Sequence, residues 1–560
     1  RFTRIKHDRA LPLRASRWCL EQAGITAGQL DHLVFYEKPL RKFERILATT
    51  VATFPRSWRL FPRMMHGWMG DKLWLRGRLA ARFQVPPDRI LFCEHHLSHA
   101  ASAFFTAPAE EAAILTVDGV GEWATTSLWR GSAEPPYIEP VSEIRYPHSV
   151  GLFYSTITAY LGFTVNNGEY KVMGLAPLGA PKYREEMARL LRLREDGSFD
   201  LDLDYFSFHY HPTQSGTEKL STLLGGPPRF PDAPLDLSTS EGRRYADIAA
   251  SAQAAIEEAM LHLAAHAHRV VGTDTLCLAG GVALNSVANR RLAESGPFSR
   301  LWVQPAAGDA GGAMGAALWA WHMVLGEPRR PIRLPLALGA SFSRSAVREI
   351  LDDLGFPYTD LGSVEAAADA AAAELAEGGV LGWFAGRFEW GPRALGHRSI
   401  LADPRSAEMK DTVNARIKFR ESFRPFAPSV LEEEAAAWFD IPPAASELAR
   451  YMLTTASVHA DQRSRIPATT HEDGSARVQV VCAEDSPIFH RLISGFAERT
   501  GVPVVLNTSL NLRGDPIVST PMGAVATLLR CELDALYIEG FRLPRPSRPA
   551  RRVVGTMGND

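Results

Sequence analysis

Three short apolar runs in this chain end in the same way. AAILTVDG (112–119), TLCLAGG (275–281) and RLWVQPAAGD (300–309) are each too short for an ordinary helix. Each stops in Gly or Asp, and the last two lead straight into sequence of helical composition. A strand that runs into a small-residue turn and then a helix is the building unit of α/β layers. HLVFY (32–36) and RILFC (89–93) read as further strands. ASRWCLEQAG, the stretch from Tyr245 to Val270 and AGGAMGAALWAWHMVL read as helices. The expected fold class is therefore α/β.

A chain of 560 residues exceeds one ordinary core, so more than one domain is expected. GEPRRPIRLPLALG (326–339) is rich in Pro and Arg without a clear period and reads as a linker. The expected division is a first domain over 1–328, a linker over 329–340 and a second domain over 341–560. The second unit offers an alanine-rich amphipathic helix (SVEAAADAAAAELAEG), a strand (GVLGWFAGR), a charged loop region up to Ser429, and a buried-type strand (GVPVVLNTS). No internal repeat is visible.

Composition excludes several classes. Hydrophobic content of 46%, charged content of 22% and a net charge of -2 describe a globular chain with no general pull toward nucleic acid. No apolar run is long enough to span a bilayer, and no membrane partner is expected. One segment departs from this balance. Between Arg41 and Arg82, arginine alternates with Trp, Phe and Met (RSWRLFPRMMHGWMGDKLWLRGRL). It reads as a partly buried helical insert with a solvated basic face; a membrane-surface or acidic-ligand patch is the alternative. The five cysteines are scattered without C-x-x-C, which disfavours a zinc ribbon or a disulfide framework and fits a reducing, cytoplasmic setting. A homodimer is compatible with all of this. The chain opens at RFTRIKHD, in the middle of a pattern, so a further N-terminal segment is expected.

The stretch EHHLSHAASAF (94–104) holds three histidines in five positions. His95 and His99 share one helix face, close enough to bind one metal, while His96 points elsewhere. Asp118 ends the AAILTV run and Asp309 opens the turn after RLWVQ. A carboxylate at a strand end beside glycine is a common site geometry, although a turn or N-cap role is the alternative for each. The helix start after Asp309 also suits phosphate or a metal-bound phosphate. Gly280 and Gly281 let a nucleotide lie against backbone, with Asn285 on the helix that follows. The loop is neither G-x-G-x-x-G nor a Walker loop. In NNGEYKVMGLAPLG, Glu169 and Lys171 flank a tyrosine between glycines, with an ordinary loop as the alternative. Two imidazoles and two carboxylates leave iron(II), zinc and manganese open.

The second half concentrates cations. WGPRALGHRSILADPRS and VNARIKFRESFRPFAPS carry Arg393, Arg398, Arg405, Lys418, Arg420 and Arg424, followed by Arg477 and by Asn507, Thr508, Ser509 and Asn511 of LNTSLN. Many cations with few local acids suit several phosphate oxygens. A solvated surface is the alternative.

These pieces together resemble the NodU/CmcH/TobZ-type O-carbamoyltransferase family. The resemblance rests on RFTRIKHD, EHHLSHAASAF, the Asp118–Gly119 turn, NNGEYKVMGLAP, LAGGVALN, GDAGGAMGAA and the arginine-rich second half. It implies a first domain of the actin/hexokinase/Hsp70-like, threonylcarbamoyl-transferase type and a second, YrdC-like α/β domain. It implies that His95, His99, Asp118 and Asp309 hold a metal, most often iron(II), and that Gly280, Gly281, Asn285 and Lys171 serve the adenylate. Arg393, Lys418, Arg420, Arg424, Arg477, Asn507 and Ser509 would bind carbamoyl phosphate and ATP, with magnesium allowed beside the nucleotide. The implied catalytic residues are His95, Asp118, Asp309 and Arg424.

The implied reaction forms carbamoyl-adenylate and passes the carbamoyl group to a hydroxyl of a small-molecule acceptor, such as an antibiotic or another secondary metabolite. Family members carry a strand and an H-D-x-(S/A)-A motif ahead of the RFTRIKHD segment, including a histidine of the transfer site. A hydrogenase-maturation relative is disfavoured by the lack of C-x-x-C. A tRNA threonylcarbamoyl-type enzyme and a non-catalytic nucleotide-binding module are the remaining alternatives.

Overall fold

The structure, a computed structural model, describes residues 2–545 except 7, 232, 331 and 422. Arg1 and His7 of the RFTRIKHD stretch, Pro331 of the linker and residues 546–560 of the second segment lie outside the described residues.

Two sheets organise the chain. The first has five strands: β1 (Ala112–Val117), β2 (Ala124–Gly131), β3 (Ile138–Arg145), β4 (Thr275–Ala279) and β5 (Arg300–Val303). Their order is β3-β2-β1-β4-β5, with β1, β4 and β5 parallel and β2 and β3 antiparallel. All six residues of β1 and all five of β4 are buried, as uninterrupted apolar runs between helical layers should be. The hairpin of β2 and β3 is absent from the sequence expectation. The outer strand β3 reads IEPVSEIR and is mostly exposed, so it carries no apolar signal.

The helices that matter for the site are α1 (His95–Phe104), α2 (Glu169–Leu175), α3 (Ser240–Val271), α4 (Ser286–Ser295) and α5 (Gly312–Trp319). The α2 helix replaces the loop that its Gly-rich surroundings suggest.

The second sheet has eight strands: β6 (Thr359–Asp360), β7 (Leu381–Phe384), β8 (Arg398–Ala402), β9 (Ala427–Leu431), β10 (Gln479–Val481), β11 (Val504–Ser509), β12 (Ala535–Ile538) and β13 (Phe541–Pro544). Their order is β6-β13-β12-β7-β8-β11-β9-β10. The region read as a charged loop up to Ser429 thus contains β8 and most of β9. Apart from Arg398, its charges sit in turns and in the helical stretch Glu408–Lys418, while SILA and APSVL supply buried strand residues.

The stretch read as a linker is packed. Leu334 and Leu336 are buried, and Arg329 donates to the carbonyls of Phe104 and Ala107 at 2.9 and 2.8 Å. Leu395, Ala427, Leu448 and Tyr451 from the second half join the apolar core of the first. Asn289 on α4 donates to the Leu453 carbonyl at 2.8 Å, and Trp390 donates to Gln304 at 3.1 Å.

Candidate active site

Because β1, β4 and β5 are parallel neighbours, the loops that follow them open at one edge of the sheet. Asp118 follows β1, Gly280–Gly281 follow β4, and Asp309 follows β5. Gly280 adopts φ +94°, and a Cβ there would lie 2.2 Å from the Val117 carbonyl oxygen, so only glycine lets the loop cross β1 this closely. The Asp118 carboxylate is aimed by backbone. Its Oδ1 accepts from Gly119 at 2.7 Å and Gly281 at 3.3 Å, which leaves Oδ2 facing the histidines.

The histidines come from α1. Helix α5 packs directly on α1 through Gly315, where a Cβ would meet the Ser98 carbonyl oxygen at 1.8 Å. This contact brings Asp309, at the start of α5, over His95 and His99. Asp118 Oδ2 lies 3.0 Å from His95 Nε2 and 3.1 Å from His99 Nε2, and the two Nε2 atoms are 3.1 Å apart. Asp309 Oδ1 stands 3.7 and 3.6 Å from the same nitrogens.

The four donor atoms lie within 4.8 Å of one another. An ion about 2.1 Å from each donor requires donors about 3.0–3.4 Å apart. The histidine and Asp118 atoms stand 3.0–3.1 Å apart, and the exposed Asp309 side chain, 3.6 and 3.7 Å from the two nitrogens, needs only a small inward shift for the quartet to hold a divalent metal with two nitrogen and two oxygen ligands. The histidines are buried while the Asp309 side chain is 63% exposed, so access is from the Asp309 side. Burial lowers the His99 pKa, but hydrogen bonds to Asp118 and Asp309 overcome this and raise it to about 9. Burial disfavours the Asp118 charge, yet His95 and His99 hold its carboxyl well below the usual range. His96 turns away, with its Nδ1 2.8 Å from Thr116 Oγ1. Burial, reinforced by the neighbouring histidines, takes it down to about 3, so it stays neutral.

Glu122 is a site residue that the sequence reading misses. It is buried, and its two carboxylate oxygens accept the His95 backbone N–H at 3.1 Å each. Oε1 also accepts the Lys38 N–H at 2.7 Å. The loop that supplies Asp118 therefore also caps the helix that supplies the histidines.

The double-glycine loop lies beside this quartet, but Asn285 is committed elsewhere. Its Oδ1 accepts the Ala288 N–H as an N-cap at 3.1 Å, and its amide pairs with Gln253. Its side chain therefore caps the helix and holds Gln253, a role that the sequence reading does not anticipate.

A second cluster forms in the other half. Arg477 is largely buried. Burial and then the charges of Arg393, Arg420 and Arg424 press its pKa well below the usual guanidinium range. Burial likewise takes Arg393 down to about 10 and, with Arg424, takes Arg420 down to about 9. The buried Nε atoms of Arg393 and Arg477 have no hydrogen-bond partner among the described residues. Four arginines held together with one neighbouring acid, Glu421, which lies 3.7 Å from Arg424, form a ready anion site.

Lys418 and Ser509, 91 positions apart, are brought together. Lys418 Nζ contacts the Ser509 carbonyl, Asn511 Oδ1 at 2.9 Å and the Asn511 carbonyl at 3.1 Å. Three other candidates make contacts within the protein. Asn507 is buried and donates to Ala394, Ser429 and Gln479 across β9, β10 and β11. Arg398 is buried and spends its guanidinium on the carbonyls of Ala385, His397, Ala340 and Gly386, while Arg405 pairs with Asp403. Both guanidiniums have these partners within the protein, Arg398 from the start of β8 and Arg405 from the turn that follows it.

Helix α2 joins the halves at this cluster. Lys171 pairs with Glu421 at 2.9 Å, and Arg424 lies 4.8 Å from the Tyr170 ring centre. Lys171 therefore meets an acid of the second half. Tyr170 and Glu421 are further site residues that sequence reasoning passes over.

Among the described residues, no helix is long and apolar enough to cross a membrane. The family model "Carbamoyltransferase N-terminus" matches residues 1–318, and "Carbamoyltransferase C-terminus" matches 372–545. An uncharacterized protein of Synechocystis is 44% identical over 98% of this chain and 93% of its own length. The nodulation protein NolNO of Sinorhizobium fredii is 37% identical over 97% of this chain and 76% of its own. The nodulation protein NolO of Bradyrhizobium diazoefficiens is 38% identical over 81% and 79%. A solved HypF of T. kodakarensis overlaps 47% of this chain and 40% of its own, at 18% identity and a TM-score of 0.25, too low to bear on the fold.

Proposed function

The chain belongs to the carbamoyltransferase family, and from that premise we propose that it is an ATP-dependent O-carbamoyltransferase acting on a hydroxyl of a small-molecule acceptor. In this reading the first half is the actin/hexokinase/Hsp70-like transfer domain and the second is the YrdC-like adenylate-forming domain. The observation that carries the reading is the convergence of two histidines and two strand-end carboxylates beside a double-glycine loop.

The reaction balances in two stages. Carbamoyl phosphate is hydrolysed to carbamate and phosphate. The carbamate oxygen attacks the α-phosphorus of ATP, giving carbamoyl-adenylate and pyrophosphate. The acceptor hydroxyl then attacks the carbamoyl carbon, its proton leaves, and AMP departs from an O-carbamoyl ester. Arg393, Arg420, Arg424 and Arg477 stabilise charge on the phosphoryl oxygens in the first stage. Their mutual repulsion in the free protein makes an anion the natural partner. Lys418 is held by Ser509 and Asn511 at the same end of β11. Carbamoyl-adenylate is unstable in water, so it passes internally to the first half. There the backbone of Gly280 and Gly281 lies against the adenylate.

Iron(II), or another divalent ion of similar preference, would be held by His95, His99, Asp118 and Asp309 and would supply Lewis-acid polarisation of the carbamoyl group. Asp118 keeps its free oxygen on that position because the Gly119 and Gly281 N–H groups hold the other. Glu122 holds the start of α1, and with it His95, in place.

The division of labour is testable with ATP, carbamoyl phosphate and iron(II) by measuring pyrophosphate release and AMP. Arg424→Ala should abolish pyrophosphate release. His99→Ala should retain it and block transfer to an alcohol, read as a carbamoyl mass gain. Loss of pyrophosphate release in His99→Ala with metal supplied would overturn the reading. Release stimulated by tRNA and threonine would favour the tRNA-modifying alternative, and no release from the wild type would favour the non-catalytic one.

A further inference from the structure

The segment after Lys38 belongs to neither sheet. It forms the helices Pro39–Ala52, Leu60–Gly67 and Leu75–Phe83, linked by a 3₁₀ turn at Arg56–Arg59 and a π-helical turn at Trp68–Lys72. Its basic face is solvated, as the sequence predicts, but so are its large apolar side chains. Val51, Phe54, Trp58, Phe61, Met69 and Trp74 are between 45% and 75% exposed. The segment does bury a tryptophan where packing requires one: Trp68 is 5% exposed and stacks near Phe43, at 5.5 Å between ring centres. The exposed set is therefore not a by-product of a segment too small to have an inside.

Charge separates this surface from the rest of the molecule. Between Arg41 and Arg82 there are ten lysines and arginines, of which Arg45 is buried, against two acids, Glu44 and Asp71, in a chain whose net charge is -2. Arg59 lies 5.2 Å from the Trp58 ring centre and Arg56 lies 5.6 Å from that of Tyr210, so cations and aromatics share the surface. A second copy of this chain is a poor occupant, because two such faces repel. A nucleic acid would use the cations and the rings but gains nothing from exposed Val51, Leu40 and Met69. An interface of anionic headgroups over hydrocarbon uses all three: cations for the headgroups, Trp and Phe at the boundary, and aliphatic side chains below it.

We propose that the helical segment 39–83 is a docking surface for an anionic lipid bilayer, with Trp58, Phe61 and Trp74 as its inserting side chains. The first half of the site is close by, since the segment leaves it at Lys38, whose N–H is bound to Glu122 at 2.7 Å. Binding is peripheral: the helices lie on the surface and none crosses it.

The test is co-sedimentation of the full chain with vesicles of equimolar phosphatidylcholine and phosphatidylglycerol, against vesicles of phosphatidylcholine alone. The chain should bind the anionic vesicles only, release in high salt, and shift its tryptophan emission to the blue. The variants W58S/F61S/W74S and R56E/R59E/R63E should each weaken binding by about tenfold or more with unchanged thermal unfolding. These side chains lie on the surface, so neither variant should unfold the protein. Absence of binding, equal binding to both vesicles, or wild-type binding by the aromatic variant would overturn the proposal. So would tighter binding to tRNA than to anionic vesicles.

Discussion

The Glu122 carboxylate grips the backbone of His95, with both oxygens 3.1 Å from the same N–H. No residue at the start of α1 caps this helix with its own side chain. Glu122 does so from a loop four residues past Asp118, so one short turn fixes a carboxylate ligand and the helix of the two imidazoles. Glu122→Ala should weaken iron(II) or zinc binding by about tenfold to a hundredfold, the usual cost of losing a group that orients ligands. It should also lower stability by about 1–2 kcal/mol, as removal of a helix cap does. Glu122→Gln should recover most of the stability and part of the metal affinity. Competition with a chromophoric chelator and thermal unfolding measure the two effects separately. Metal affinity equal to wild type in Glu122→Ala would refute the positioning role.

The arginine cluster predicts a trade-off. Arg477 is pressed by burial and by three neighbouring guanidiniums, so it destabilises the ligand-free protein. Arg477→Gln should raise stability by about 1 kcal/mol, within the range of relieved functional strain. The same change should raise the KM for ATP or carbamoyl phosphate by about tenfold or more. Denaturant unfolding without ligand, set beside steady-state pyrophosphate release, reads both. A variant that is less stable and also unimpaired would mean that the cluster is structural.

What the sequence discloses here depends on whether a residue's role is local. His95, Asp118 and Asp309 are legible because each stands at a break in the chain's own pattern, a strand end, a glycine turn or a helix start, and His99 because it lies one helical turn after His95 on the same face. The parallel strands are legible because they are apolar throughout. Glu122, Tyr170 and Glu421 are not, because their roles arise from contacts with distant parts of the chain. Glu122 meets His95 across 27 positions and Lys171 meets Glu421 across 250, and nothing near either acid announces the partner. Arg398 illustrates the opposite error. Its charge suggests phosphate, but its place at the start of a buried strand gives its guanidinium four carbonyl partners.

The glycine contact under Asp309 is a point of geometric sensitivity. A Cβ on Gly315 would sit 1.8 Å from the Ser98 carbonyl oxygen, inside α1 itself. Gly315→Ala should therefore force α5 away from α1 and cost about 1–3 kcal/mol, as overpacking does. Since α5 begins beside Asp309, metal affinity should fall too, while pyrophosphate release in the other half persists. Gly77→Ala, where a Cβ meets nothing within 4 Å, is the matched control on an exposed helix. Equal stability of the two variants would show that the helices are not in contact at Gly315.

The Lys171–Glu421 pair should write a pH dependence into the packing of the two halves. Burial tends to raise the Glu421 pKa, but Lys171, the local backbone and Arg424 outweigh it and bring the carboxyl from 4.5 to about 2. A carboxyl depressed on folding stabilises the native state above its unfolded pKa, and that stability is lost as pH falls. The contribution is whole above about pH 4.5 and fades between there and about pH 2. Glu421→Gln removes the titrating group. The stability gap between wild type and variant should be constant from pH 7 to about pH 5 and narrow steadily below it. Because the pair is partly solvated, added salt should shrink the gap at neutral pH. Urea unfolding of both proteins at several pH values measures it, and a gap that widens on acidification would mean that Glu421 is not held ionised by Lys171.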